Sequence, residues 1–179
     1  MRNAAHVAAR VVLGGYLVVH GAQKLFGAFG GPGLDTAAAG FDAVGLTPGK
    51  QMAALAGVSE VSGGLLTASG IAHPLGPIAI VGAMTAASAV HRKAGPLGAN
   101  GGYELPLTNL AFATALAVAG PGPFHLGPPL SKRLTAAAFV GAATLTAVSV
   151  VKLLNGPAAS PAVADEPASE TSEPIANAS

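Results

Sequence analysis

Six residues of proton- or ligand-handling types lie inside or at the ends of strongly apolar stretches: His20, Lys24, Glu60, His91, Tyr103 and Glu104. His20 and Lys24 are four apart, so on a helix they share one face, and Leu13 and Leu17 continue that stripe toward Arg10. Glu60 lies about nine residues into its stretch, or about 13 Å along a helix. Gly57 and Gly64 flank it on the same face. Glycines let a second helix come close, so a partner group can reach the carboxylate. Intramembrane ionisable groups are functional by default. Glu60 is therefore expected to accept a proton or bind a ligand. His20 and His91 are expected to move protons or hydrogen-bond a carbonyl oxygen such as that of a quinone. Lys24, Tyr103 and Glu104 are the expected substrate-binding groups. A purely structural reading stands beside this one. Glu60 would pair with Lys24 or His20 only to hold two helices in register. His91 with Arg92 and Lys93 would be a basic loop at lipid headgroups, and Glu104 would be favoured by a helix dipole alone.

Other chemistries find little support. There is no cysteine, which removes disulfides, thiolate nucleophiles and Cys-ligated metals from the chain acting alone. No two histidines have i, i+3 or i, i+4 spacing, so no metal or haem motif is present, and no flavin or iron–sulfur motif either. Gly27 to Gly33 is glycine-rich but has no downstream Lys-Ser/Thr and no strand before it, unlike a phosphate-binding loop. Nothing supports Ser-His-Asp catalysis.

The elements that would position these groups are apolar helices. Of 179 residues only 9% are charged, against about a quarter in ordinary soluble domains, and 51% are hydrophobic. Too few charges remain to make a soluble shell, and too much apolar surface for disorder. An integral membrane protein is left. Apolar stretches run over about 4–26, 51–71, 74–91, 104–120 and 133–154, each close to the length that crosses a hydrocarbon core of about 30 Å. Arg2, Arg10 and the short apolar core after them resemble a signal peptide, but His20 to Lys24 is a poor cleavage site, so a retained first helix is expected. Residues 27–50 form a Gly-rich connection, in which Leu34 to Leu46 is expected either as a short helix, with Leu34, Ala38, Phe41 and Gly45 on one face, or as an ordered loop. Gly120 to Pro129 breaks the chain before the last helix.

The nine Lys and Arg residues all lie in 1–155, with four of the eight acids; the other four acids lie in 156–179. The near-neutral total therefore gives no reason to expect nucleic acid. Lys/Arg counts at the two ends are four against five, so orientation rests on the basic first segment, which favours a cytoplasmic N-terminus. Chain alternation then carries the chemistry. Helix one ends, helix two starts, helix three ends and helix four starts on the same side. His20, Lys24, Glu60, His91, Tyr103, Glu104 and Asn109 thus converge on one half of a bundle, with little on the other half beyond His73 and His125. No internal repeat is visible, which argues against a transporter unless a homo-oligomer supplies the symmetry.

His20-Gly21-Ala22-Gln23-Lys24-Leu25-Phe26-Gly27-Ala28-Phe29-Gly30-Gly31-Pro32-Gly33 resembles the first-helix signature of the DoxX family. Glu60-Val61-Ser62-Gly63-Gly64-Leu65-Leu66, followed by Gly70, is similar to its second-helix signature. His91, then Gly102-Tyr103-Glu104, then Gly120-Pro121-Gly122 match later positions in order, so the likeness covers about 5–126. Two departures stand out. After Gly122 the family tends toward a Ser-Leu-Asp-like run where this chain has His125-Leu126-Gly127. The last helix and acidic tail also lie beyond the family core.

The resemblance implies an all-α membrane protein with a four-helix transmembrane bundle over 1–126; apolar length adds a fifth C-terminal transmembrane helix over 127–155, and composition a disordered acidic Pro/Ala/Ser-rich tail over 156–179. It implies a multi-pass protein of the bacterial plasma membrane, similar to a membrane subunit of thiosulfate:quinone oxidoreductase and linked to oxidative stress and sulfur oxidation. The expected occupant of the polar pocket is a quinone or a small sulfur compound, and the expected partners are membrane lipid and soluble or membrane redox proteins. Distant relatives look like membrane chaperones, so a non-catalytic scaffold that binds partner proteins is the alternative.

Overall fold

A computed structural model describes residues 2–155. The acidic tail expected over 156–179 lies outside the described residues. Within them the protein is all-helical: α1 (Arg2–Phe26), α2 (Gly33–Ala43), α3 (Gly49–Ser69), α4 (Leu75–His91), α5 (Glu104–Ala119) and α6 (Lys132–Asn155). The five expected long helices are present, and the short helix in the 27–50 connection forms as well. Its bounds differ from Leu34–Leu46, because Val44 leaves helical geometry and Gly45 has a φ of 84°.

Helix ends follow local chemistry. Gly27 (φ 66°) stops α1 and donates to Gln23 O at 3.2 Å, and Gly70 (φ 73°) stops α3 and donates to Leu66 O at 2.9 Å. The Asp42 carboxylate accepts from the Gly49 N–H at 2.6 Å, caps α3 and fixes how tightly α2 folds back. Pro77 and Pro106 sit in the first turns of α4 and α5, where no intrahelical N–H bond is lost.

Two helices are long and apolar enough to cross a membrane by themselves, Asn3–Phe26 and Lys132–Asn155. The helices between them differ for physical reasons. α4 and α5 have 17 and 16 residues, and α3 carries Glu60 among serines, threonines and glycines. These helices meet protein on more than one side. α3 packs between α1 and α4, α2 lies on α3, and α5 and α6 both pack on α4. The core is Leu13 and Leu17 of α1, Ile80 and Met84 of α4, and Ala113 and Leu116 of α5.

The end opposite Lys24 is more polar than sequence alternation implies. Arg10 is buried at 4% exposure instead of flanking the first helix in water. Its guanidinium donates to the backbone carbonyls of Pro121, Phe124 (2.6 Å) and Ala68 (3.3 Å). The α5–α6 loop is thereby stitched to the end of α3, and Leu126 N donates to Ser69 O and Leu130 N to His73 O. His73, in the α3–α4 turn, is buried and bonds Ala117 O through Nε2 at 3.2 Å.

Burial pushes the His73 imidazole below its ordinary value of 6.5. The Ala117 carbonyl opposes this, while Arg10, His6 and His125 add to it. The unfolded chain therefore binds this proton more readily than the folded one. The contribution of His73 to stability is complete above its ordinary value and is lost as pH falls through the depressed folded value. Acidification from pH 7.5 to 5 is expected to lower the unfolding temperature, and His73→Gln to flatten that part of the profile. Thermal unfolding followed by size exclusion across the pH range checks both, and an unchanged slope in His73→Gln would assign the effect elsewhere.

Candidate functional site

The site is built on the α1–α3 seam. The two helices run antiparallel and touch through glycine. A Cβ on Gly21 would stand 2.6 Å from Gly57 O, and one on Gly64 would stand 2.5 Å from Gly14 O. Every helical side chain leans toward the N-terminus of its own helix. In antiparallel helices Lys24 and Glu60 therefore lean toward each other, and they meet as an ion pair with Nζ 2.6 Å from the carboxylate oxygen. Glu60 is buried at 4% exposure, and the Lys24 side chain is about a quarter exposed. A buried charge this close to an opposite charge is held by Coulomb attraction and a charge-assisted hydrogen bond together.

This pair forms part of the wall of a cleft of about 590 Å³. Tyr16, His20 and Lys24, spaced four apart, make the α1 wall, with the His20 ring tilted 48° against Tyr16 at a centroid distance of 4.4 Å. α3 contributes Met52, Leu55, Ser59 and Glu60, α2 contributes Phe41, and α4 contributes an apolar run that includes Ile78, Gly82 and Met84. Most of the lining is Ala, Leu, Ile, Val, Met and Phe, with the charged pair at one place. A few convergent polar groups in an apolar pocket of several hundred Å³ are the usual form of a small-molecule site.

The structure brings Glu60, His20, Lys24 and His91 to this one cleft, with Asn109 of α5. His91 stands at its edge, where Nδ1 bonds Gly101 O at 2.7 Å. Tyr103 and Glu104 lie on the same end of the bundle but do not line the cleft. The Glu104 carboxylate accepts from the Gly98 N–H at 2.8 Å and organises the α4–α5 loop. Among the described residues no group of three or more His, Cys, Asp or Glu has a metal-binding arrangement.

Two contributions escape sequence reasoning. Phe41 is visible as part of an apolar face, yet nothing in the sequence says what that face covers. α6 supplies Ala142, Leu145, Thr146 and Ser149 to the cleft, although it lies beyond the stretch that resembles the family. The sequence carries no distinct signal for this face, because small or hydroxylated residues also stand at 141, 143, 144 and 147.

Apolar helices closed around a buried ion pair and a largely apolar cleft define a helical membrane protein. Residues 5–92 match the DoxX family model, and the chain is a DoxX-family protein. The matched stretch holds His20, Lys24, Glu60 and His91, while Tyr103, Glu104 and α6 follow it. No curated protein and no solved structure gives a significant match.

Proposed function

We propose that this DoxX-family protein is the membrane subunit of a redox system and binds a quinone in the cleft beside Lys24 and Glu60. The observation that carries the reading is a buried ion pair at the wall of an otherwise apolar cleft of about 590 Å³. A quinone joins an apolar body to hydrogen-bond-accepting oxygens. The Lys24 ammonium and the His20 ring are the donors that meet such an oxygen, and the Glu60 carboxylate at the same wall can accept a proton. When bound, a quinone would supply the electron-accepting chemistry, with a partner redox protein as electron source. A small sulfur compound, the other expected occupant, would leave most of the apolar lining uncovered.

In this reading α1, α3, α4 and α5 form a four-helix transmembrane bundle and α6 is a fifth transmembrane helix in the bacterial plasma membrane. The end made by the start of α1, the α3–α4 turn and the α5–α6 loop carries Arg2, Arg10, Lys132 and Arg133 and no carboxylate among the described residues. With four Lys/Arg here against five at the other end, it is the basic first segment that makes this end the cytoplasmic one in this reading, with the N-terminus inside.

Decylubiquinone binding to protein in nanodiscs tests this function, with thiosulfate as competitor. Saturable binding that falls at least tenfold in Glu60→Gln, with an intact elution profile, is expected. Absence of binding in nanodiscs, together with absence of co-purifying quinone by native mass spectrometry, would leave the scaffold reading. Displacement by thiosulfate would identify a sulfur-compound site instead.

A further inference from the structure

α6 presents one stripe to the bundle, Ala142, Thr146, Ser149 and Leu153, spaced four, three and four residues apart. Ser149 and Leu153 are buried, whereas Phe139, Val140, Val148 and Val151 face outward. The inward stripe carries two hydroxyls, whereas the outward face mixes these large apolar residues with Gly141, Ala143, Thr144 and Ala147. Gly82 of α4 makes room for it, since a Cβ there would stand 2.9 Å from Thr146 Oγ1. Lys152 Nζ donates to Thr47 O at 2.7 Å and ties the end of α6 to the α2–α3 loop. The stripe is therefore held against the cleft at two points.

Hydroxyl accounting then marks Thr146 by its place at the cleft, since Thr67, whose buried Oγ1 also has no partner among the described residues, does not line it. A helical Ser or Thr in an apolar setting ordinarily donates to the carbonyl four residues back. Ser62, Thr85, Ser88, Thr114, Thr144 and Ser149 all do so, at 2.6–3.0 Å. Thr144, two residues away on the same helix, makes this bond at 2.8 Å. Thr146 makes no side-chain hydrogen bond to any described residue; it lines the cleft with its oxygen against Gly82. Ser59, next to Glu60 on α3, likewise lines the cleft without a partner among the described residues. An unpaired hydroxyl in an apolar site costs free energy that a bound oxygen acceptor would recover.

We propose that Thr146 is a specificity-determining residue of this cleft, its hydroxyl donating to a second oxygen of a ring dicarbonyl ligand whose first oxygen lies at Lys24 and His20. The proposal rests on the quinone reading of the cleft and extends it to a helix outside the family-matched stretch. It makes the ligand a two-oxygen ring rather than a simple apolar alcohol or acid, because donors stand on both the α1 and α6 walls.

The test measures decylubiquinone affinity in nanodiscs for the wild type, Thr146→Val, Thr146→Ser and Thr144→Val, with infrared carbonyl bands of the bound ring. Thr146→Val is expected to weaken binding about five- to tenfold, the effect of one hydrogen bond, and to shift one carbonyl band. Thr146→Ser keeps the donor and is expected to restore both, and Thr144→Val to change neither. Thr146→Ala repeats the test if the Val variant fails to elute as folded protein. Binding that weakens in Glu60→Gln but not in Thr146→Val or Thr146→Ala, with unshifted bands, would overturn the role of Thr146 alone. A wild type that binds no quinone would overturn the reading of the cleft and this inference with it.

Discussion

Lys24→Met is expected to destabilise the protein by about 3–5 kcal/mol, because it leaves the Glu60 carboxylate buried without its cation. Glu60 is nearly inaccessible, and its carboxylate sits 2.6 Å from Lys24 Nζ. Glu60→Leu is expected to cost less, since Lys24 is about a quarter exposed and its long stem can carry the ammonium outward. The double variant Lys24→Met/Glu60→Leu removes both charges and replaces them with apolar groups of similar volume. It is expected to recover most of the loss, as buried ion pairs replaced by packed apolar residues commonly do. Unfolding of the four proteins in one detergent, read as loss of the folded elution peak, gives the coupling energy directly. Additive losses would mean that the two side chains do not stabilise each other. The double variant also separates two roles of the pair. A folded double variant that binds no decylubiquinone would show that the charges are kept for the ligand and that the fold does not need them.

Glu60 is legible in the sequence because a carboxylate inside an apolar stretch must have a partner, and Lys24 and His20 are near because chain alternation brings helix ends together. The same alternation places His91, Tyr103 and Glu104 on the right end of the bundle, but it carries no information on depth. The result is that His91 reaches the cleft edge while Glu104 is occupied by the Gly98 N–H. Arg10 shows a different limit. Its partners are backbone carbonyls of Ala68, Pro121 and Phe124, and a carbonyl leaves no side-chain signature for a sequence to display. An arginine near the start of an apolar helix then reads as a flanking charge. α6 was hidden for a third reason. Serine and threonine satisfy themselves on a helix in lipid, so a hydroxylated stripe looks the same whether it faces lipid or a ligand. What the packed helix adds is position: Thr146 and Ser149 line the cleft, and Thr146 does so without a hydrogen-bond partner among the described residues.

Gly21→Ala and Gly64→Ala are expected to be among the most damaging single-methyl additions in the protein. A Cβ at Gly21 would stand 2.6 Å from Gly57 O and 2.9 Å from Val61 N, and one at Gly64 would stand 2.5 Å from Gly14 O and 3.0 Å from Val18 N. These obstacles are backbone atoms, so no side-chain rotation relieves them and the helices must move apart. Overpacking of this kind costs about 1–3 kcal/mol, and occasionally more. Helix separation also forfeits the dispersion contacts that hold α1 to α3, where lipid gives no hydrophobic drive to replace them. It further draws Lys24 away from Glu60, since both hang from this seam. Gly15→Ala, on the same helix as Gly21, is the matched control, because nothing lies within 4 Å of its added methyl. There the helical preference for alanine is expected to stabilise by about 0.5–1 kcal/mol. Gly57→Ala should fall between, because its methyl meets the Leu25 side chain, which can turn aside. Unfolding temperatures of the four variants rank these cases, and the Lys24–Glu60 coupling energy measured again in Gly21→Ala should shrink. If Gly21→Ala proved as well tolerated as Gly15→Ala and left that coupling intact, close backbone contact would not be what sets the ion pair. The pair would then have to be held from the α2 side of the cleft instead.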